Sequence, residues 1–240
     1  MNFKIKALIL FNHVASVFAL IYGNPWMLVG TVIAFLFINK LGGEIGLHRY
    51  FCHRSFKTSK FWHYTMLIAA ILNCFGPPLS WVGVHRKHHA ASDTDADPHG
   101  NQPAWRVWLT FWRSFHIDLT YIKDMLRDKD QMFVYKYYFW LIAVVWLSLF
   151  FINWQLPIFL ISIPSVISFH LAGLINTVCH TTGERPYKTK DHSYNNKWVN
   201  IITLGSGLHN THHAFPSGWD NRKNPGDIDV SAVIINYIKL

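Results

Sequence analysis

The chain has 240 residues, of which 51% are hydrophobic, 16% aromatic and only 15% charged, a balance that excludes intrinsic disorder and argues against an ordinary soluble enzyme. Three cysteines exclude a disulfide scaffold. The formal net charge of +9 raises nucleic-acid binding, but no DNA-binding motif accompanies it.

A bilayer core of ~30 Å takes about 20 helical residues to cross. The first apolar segment that approaches this length runs over residues 7–22, interrupted by Asn12 and His13. A second, 26–41, follows the short loop Gly23 to Pro25 and leads into Gly42, Gly43 and Gly46. A shorter run over 61–75 stops at Gly76-Pro77-Pro78 and is predicted to be a helix at or partly in the membrane face. Segments 137–154 and 156–178 complete a four-span pattern, joined by a very short loop around Gln155.

Neither short loop contains Lys or Arg, so all 22 basic residues fall on the opposite side, together with both termini. The positive-inside rule places that side in the cytoplasm and explains the net charge without nucleic acid. Lys4 and Lys6 ahead of an apolar run also fit a cleaved signal peptide, which would leave an odd number of spans. The expected fold is all-α and integral to the membrane: four transmembrane helices in a single domain over 1–240, with a histidine-rich di-metal cap on the cytoplasmic side.

Fifteen histidines are the unusual feature of the composition. Eight fall into three boxes: His48 and His53; His85, His88 and His89; His209, His212 and His213. On a helix, positions i, i+3 and i+4 share one face, so the second and third boxes each present three imidazoles together. His48 and His53 are offset by about 140° on a regular helix and can converge only from a helix end or across a bend. The preceding glycines make a bend plausible. Eight neutral imidazoles at one membrane face are costly without partners, and metal ions supply them; imidazole suits Fe, Zn and Cu. Eight ligands exceed one ion, so two are implied. Paired Glu-x-x-His and HExxH motifs are absent, which argues against a carboxylate-bridged bundle and a zinc protease.

These boxes resemble those of the membrane-bound fatty acid desaturases, most closely the stearoyl-CoA (delta-9) type that includes bacterial enzymes. Trp81-Val82-Gly83-Val84-His85, Ser92 to His99, and Ala214-Phe215-Pro216 after the third box are similar to the family's sequences there. The resemblance implies a ninth ligand, His180, and assigns Asn176 to holding a metal-bound water; their i, i+4 spacing puts both on one helix face. It also implies two iron ions, O2 as co-substrate, a fatty acyl substrate linked to CoA or lipid, contact with membrane lipid, and a ferredoxin- or cytochrome b5-like electron donor. The implied reaction is insertion of a cis double bond, at delta-9 in the family pattern. A hydroxylase or ketolase of the same superfamily is the nearest rival, and a membrane metal-transport protein a distant one.

Two departures stand out. Ser206 occupies a position where the family commonly has Glu, so a carboxylate that would orient a ligand is expected to be missing. Gly173 stands where the family often has Trp, which should widen the site. An acyl channel is expected between the second and fourth spans, ending near Ile33 to Phe37 with Gly30 and Ala34 leaving room. Arg86, Lys87, Arg106 and Arg113 are expected to hold an anionic headgroup or an acidic donor. His13, His63, His99, His116, His170 and His192 are read as structural or solvated, and Cys52, Cys74 and Cys179 as free packing residues.

Overall fold

A computed structural model describes residues 3–99 and 117–240. Among the described residues the architecture is all-helical, without extended strands. Four helices are long and apolar enough to cross a membrane: α1 (Phe3–Tyr22), α2 (Met27–Cys52), α5 (Lys129–Ile152) and α6 (Gln155–Val178). Shorter helices α3 (Lys60–Leu72), α4 (Pro78–Ala91), α7 (Lys197–Thr203), α8 (His209–Ala214) and α9 (Val230–Ile238) gather around one end of the long ones.

The helix limits differ from the apolar runs for identifiable reasons. The sequence places the start of the third span at Tyr137, but α5 begins at Lys129, where the Asp128 side chain accepts the N–H groups of Asp130 (2.9 Å) and Gln131 (3.2 Å). The N-cap defines the helix start, whereas hydropathy marks only its apolar part. Likewise α2 continues past Leu41 and through the glycines to Cys52. Residues Leu36–Cys52 are wound as a π-helix. Gly42 permits close packing against α3: a Cβ there would lie 2.4 Å from the Ala69 carbonyl.

The run over 61–75 yields α3, whose 13 residues span about 20 Å at 1.5 Å per residue, too short to cross a bilayer. It packs along the π-wound part of α2, with Met66, Ala69 and Ala70 at 0% exposure. Pro77 and Pro78 then open α4, where a missing N–H costs nothing. Ile45, Val82, Ile122, Tyr138 and Ile235 join α2, α4, α5 and α9 in one buried core. Polar ties reinforce it. Arg49, fully buried on α2, donates to both carboxylate oxygens of Asp229 at 3.0 Å, and Asp229 caps α9 through Ala232 N–H (2.9 Å). Lys40 Nζ donates to the Thr203 carbonyl at the end of α7.

Candidate metal centre

The helices deliver the histidines in different ways. His85, His88 and His89 project from one face of α4, and Trp81, one turn earlier, stacks on His85 with centroids 4.7 Å apart. The six-residue α8 carries His209, His212 and His213. Its register is set by Asn195, which accepts Thr211 N–H (3.0 Å) and donates to its hydroxyl (2.8 Å), and by Asn210, which accepts Tyr187 N–H (2.9 Å). His180 follows the end of α6, its N–H on the Thr177 carbonyl (3.3 Å). The first pair converges from a helix end, one of the two expected routes: His53 caps the π-wound end of α2, and its N–H donates to the His48 carbonyl (3.1 Å), an i to i+5 bond that brings residues five apart together.

All nine histidines converge, in two groups. His48, His53, His85, His89 and His212 form one; His88, His180, His209 and His213 form the other. Within each group the potential ligand atoms lie within 4.8 Å of one another. The two groups adjoin, with the His89 and His213 rings 4.4 Å apart.

The donor set fits metal ions. Nδ1 of His48 donates to Glu44 (3.2 Å), His88 to Asp97 (2.9 Å), His180 to Asp93 (3.1 Å) and His213 to Asp191 (2.8 Å). Each such bond fixes the tautomer that leaves a bare lone pair on Nε2. Nε2 of His48 and His180 faces other ring nitrogens, of His212 and His209, at 2.9 Å each, and Nε2 of His212 also lies 3.0 Å from that of His89. Nε2 of His53, His88 and His213 is buried without a hydrogen-bond partner among the described residues. Unsatisfied buried nitrogens cost about 1–3 kcal/mol each, and a cation among converging lone pairs removes that penalty.

Burial also keeps the rings neutral. It pushes His85, His89, His209 and His212 well below the usual imidazole range, with neighbouring histidines adding to the effect. Burial lowers His53 to about 2 and His213 to about 4, the latter partly offset by Asp191. Burial would raise Asp97, but His88 and the backbone N–H groups of His99 and Asp93 hold it down at about 2.

A cavity of about 850 Å³ opens onto the histidines, within the range of small-molecule sites. His48, His85 and His209 line it with Glu44, Ser206 and Asn176; Gly173 also forms part of the wall, as expected. From there it extends to Phe75, Phe169, Ile9 and Phe139, between α1, α5 and α6. Near the histidines the cavity runs between α2, at Asn39, Gly43 and Leu47, and α6, as expected, but the expected end is corrected: no residue of 30–37 lines it, and Gly30 lies against Leu160.

Other expectations also change. Arg86 has its guanidinium engaged by Asp124 (2.8 and 3.1 Å) and by the carbonyls of Phe51, Cys52 and Tyr121, so it clamps the end of α2 to the segment after α4 instead of facing a ligand. Lys87 is partly buried on α4, while Arg106, Arg113 and His116 lie outside the described residues. The carboxylate expected to be missing at position 206 is supplied from α2, where Glu44 accepts from Ser206 Oγ at 3.0 Å. Glu44, Asp93, Asp97 and Asp191, which bond the ring nitrogens, carry no motif that singles them out in the sequence. A charged residue four positions before His48 in an apolar span was a usable signal for Glu44. Among the other histidines, His13 and His170 meet each other at 3.2 Å, and His63 meets the Tyr50 hydroxyl at 3.0 Å. All three cysteines are free and buried, and burial pushes the Cys179 thiol up to about 12.

Residues 23–219 match the family model for fatty acid desaturases. The chain belongs to the fatty acid desaturase family. It is 36% identical to an sn-1 stearoyl-lipid 9-desaturase of Anabaena variabilis over 95% of this chain and 87% of that protein. A protein of the same description from Synechocystis sp. is 31% identical over 90% of this chain and 70% of its own length. The delta-9 acyl-lipid desaturase 1 of Arabidopsis thaliana is 28% identical, covering 91% and 74% respectively. The chain is therefore an oxidoreductase of lipid metabolism, with four potential membrane helices and a histidine centre able to hold metal.

Proposed function

We propose that this desaturase uses two iron ions and O2 to place a cis double bond at the delta-9 position of a saturated acyl chain, with a membrane lipid as acyl carrier. The 9-desaturase descriptions of the relatives support the position and the carrier. The observation that carries the reading is the meeting of the two histidine groups with the apolar-walled cavity.

In this reading, His48, His53, His85, His89 and His212 hold one ion and His88, His180, His209 and His213 the other. When bound, iron supplies the redox chemistry by which O2, two electrons and two protons remove two hydrogens from adjacent methylenes, yielding the alkene and two waters. The protein's own part is positional. Glu44, Asp93, Asp97 and Asp191 hold four rings in their ligating tautomer. Apolar walls that include Ile9, Phe75, Phe139 and Phe169 keep water from the acyl chain. Asn176, one turn before His180 and on the cavity wall, holds a water beside the metal site. The catalytic end and both termini face the cytoplasm, in one domain over 1–240, and a ferredoxin- or cytochrome b5-like protein delivers the electrons.

Expression of the full chain in a host unable to make unsaturated fatty acids, followed by mass-spectrometric lipid analysis, tests this reading. Monounsaturated chains with the double bond at C9 support it. Hydroxylated chains would identify the superfamily's hydroxylase chemistry, and an unchanged saturated profile would overturn the reading.

A further inference from the structure

We infer that Glu44 is a positioning residue for one ion of the pair, set apart from the carboxylates that serve the other. This inference rests on reading the two histidine groups as metal sites. Three of the four carboxylates on ligand rings, Asp93, Asp97 and Asp191, belong to the four-histidine group. Among the described residues, Glu44 alone serves the five-histidine group, through His48 Nδ1 at 3.2 Å.

Its placement suits that role. The side chain is 12% exposed and sits one helical turn before His48. Oε1 accepts from His48 Nδ1 and from Arg49 Nη2, both at 3.2 Å, and from Arg49 Nε at 3.3 Å. Oε2 accepts from Ser206 Oγ at 3.0 Å, three residues before His209. Glu44 is thus held from α2 and from the loop that leads into the third histidine box. Arg49 does not need it for charge balance, because Asp229 binds the same guanidinium through two oxygens at 3.0 Å and the Trp219 carbonyl takes a further N–H at 2.6 Å. What Glu44 adds is a fixed acceptor for His48 Nδ1–H. That acceptor orients the ring and makes its Nε2 a stronger donor to metal.

The test counts ferrous ions on the detergent-solubilised full chain under anaerobic conditions, by competition with a chromophoric chelator. Glu44→Gln keeps the shape and removes the charge. It should weaken one of two ions by about 10- to 100-fold and leave the other within twofold. Asp191→Asn, beside His213, should do the same to the other ion, and the double variant should hold neither tightly. Ser206→Ala removes only the hydroxyl that steadies Glu44 and should weaken the first ion about fivefold. It provides the readout if Glu44→Gln does not fold. The thermal midpoint of the metal-free protein separates positioning from general support.

Selective loss of one ion at an unchanged midpoint supports the inference. Wild-type binding in both Glu44→Gln and Ser206→Ala overturns it. So does equal loss of both ions in Glu44→Gln, or one tight ion surviving in the double variant. A wild-type chain that binds no ferrous ion would instead overturn the underlying metal-site reading.

Discussion

His53 donates its backbone N–H to the carbonyl of His48 at 3.1 Å, which brings the two rings to a centroid separation of 4.9 Å on successive turns of a π-helix. On an α-helix the same pair would diverge by about 140°. Convergence of the first box therefore depends on backbone winding, and the winding coincides with close packing of α2 on α3.

Gly42→Ala should break that packing. Its Cβ would lie 2.4 Å from Ala69 backbone atoms, which cannot move as a side chain would. A loss of about 3 kcal/mol is expected from overpacking, with weakened metal binding as His48 and His53 shift. Thermal unfolding and metal analysis of the purified variant check this; wild-type values for both would show that the glycine does not set the register.

Much of the centre was legible in the sequence because HxxHH is a helical spacing, and α4 and α8 are helical where it occurs. The i, i+5 pair was not, since a π-helix has no simple residue signature and the glycines suggested a bend. The supporting carboxylates were hidden for another reason. Asp191 reaches His213 (2.8 Å) and Asp93 reaches His180 (3.1 Å) across gaps in sequence that only the fold closes. Arg86 was misread because a sequence shows a charge but not whether its donors are already engaged. Hydropathy located the four long helices, while their ends were set by caps such as Asp128.

Arg86→Ala should act on stability rather than on partner binding. The Arg86 and Asp124 side chains are 20% and 27% exposed, so a loss of about 2 kcal/mol is expected. Activity per folded molecule should keep its wild-type dependence on salt. A selective rise in the apparent Michaelis constant for the electron donor, with no change in thermal midpoint, would instead return Arg86 to a docking role.

The metal-free protein should lose stability as pH falls. Burial holds folded His213 at about 4, against an ordinary value of 6.5. Between those values the unfolded chain binds the proton and the folded chain does not, so stability is full above about 6.5 and declines toward pH 4. This ring, 1% exposed, accounts for a loss on the order of 3 kcal/mol. Denaturation of the stripped protein across that window measures the slope. Stability that is flat or rises on acidification would contradict the burial argument.

The cavity makes a separate claim about chain length. Ile9→Trp should narrow the apolar wall shared by Ile9, Phe139 and Phe169 and shift the products toward shorter acyl chains, with metal content intact. Ala34→Trp, away from the cavity, should leave the profile unchanged. Lipid analysis of cells expressing each variant decides the matter, and the reverse pattern would restore a channel ending in α2.

The most direct measurement is the iron content and iron coordination of the purified wild-type chain, by elemental analysis and X-ray absorption. Two irons per chain are expected, bound mainly by imidazole nitrogen at about 2.0–2.2 Å, with both lost when His89→Ala and His213→Ala are combined. A chain that carries one ion or none after reconstitution, or iron bound mainly through oxygen, would contradict the assignment of the nine histidines to a di-iron desaturase centre.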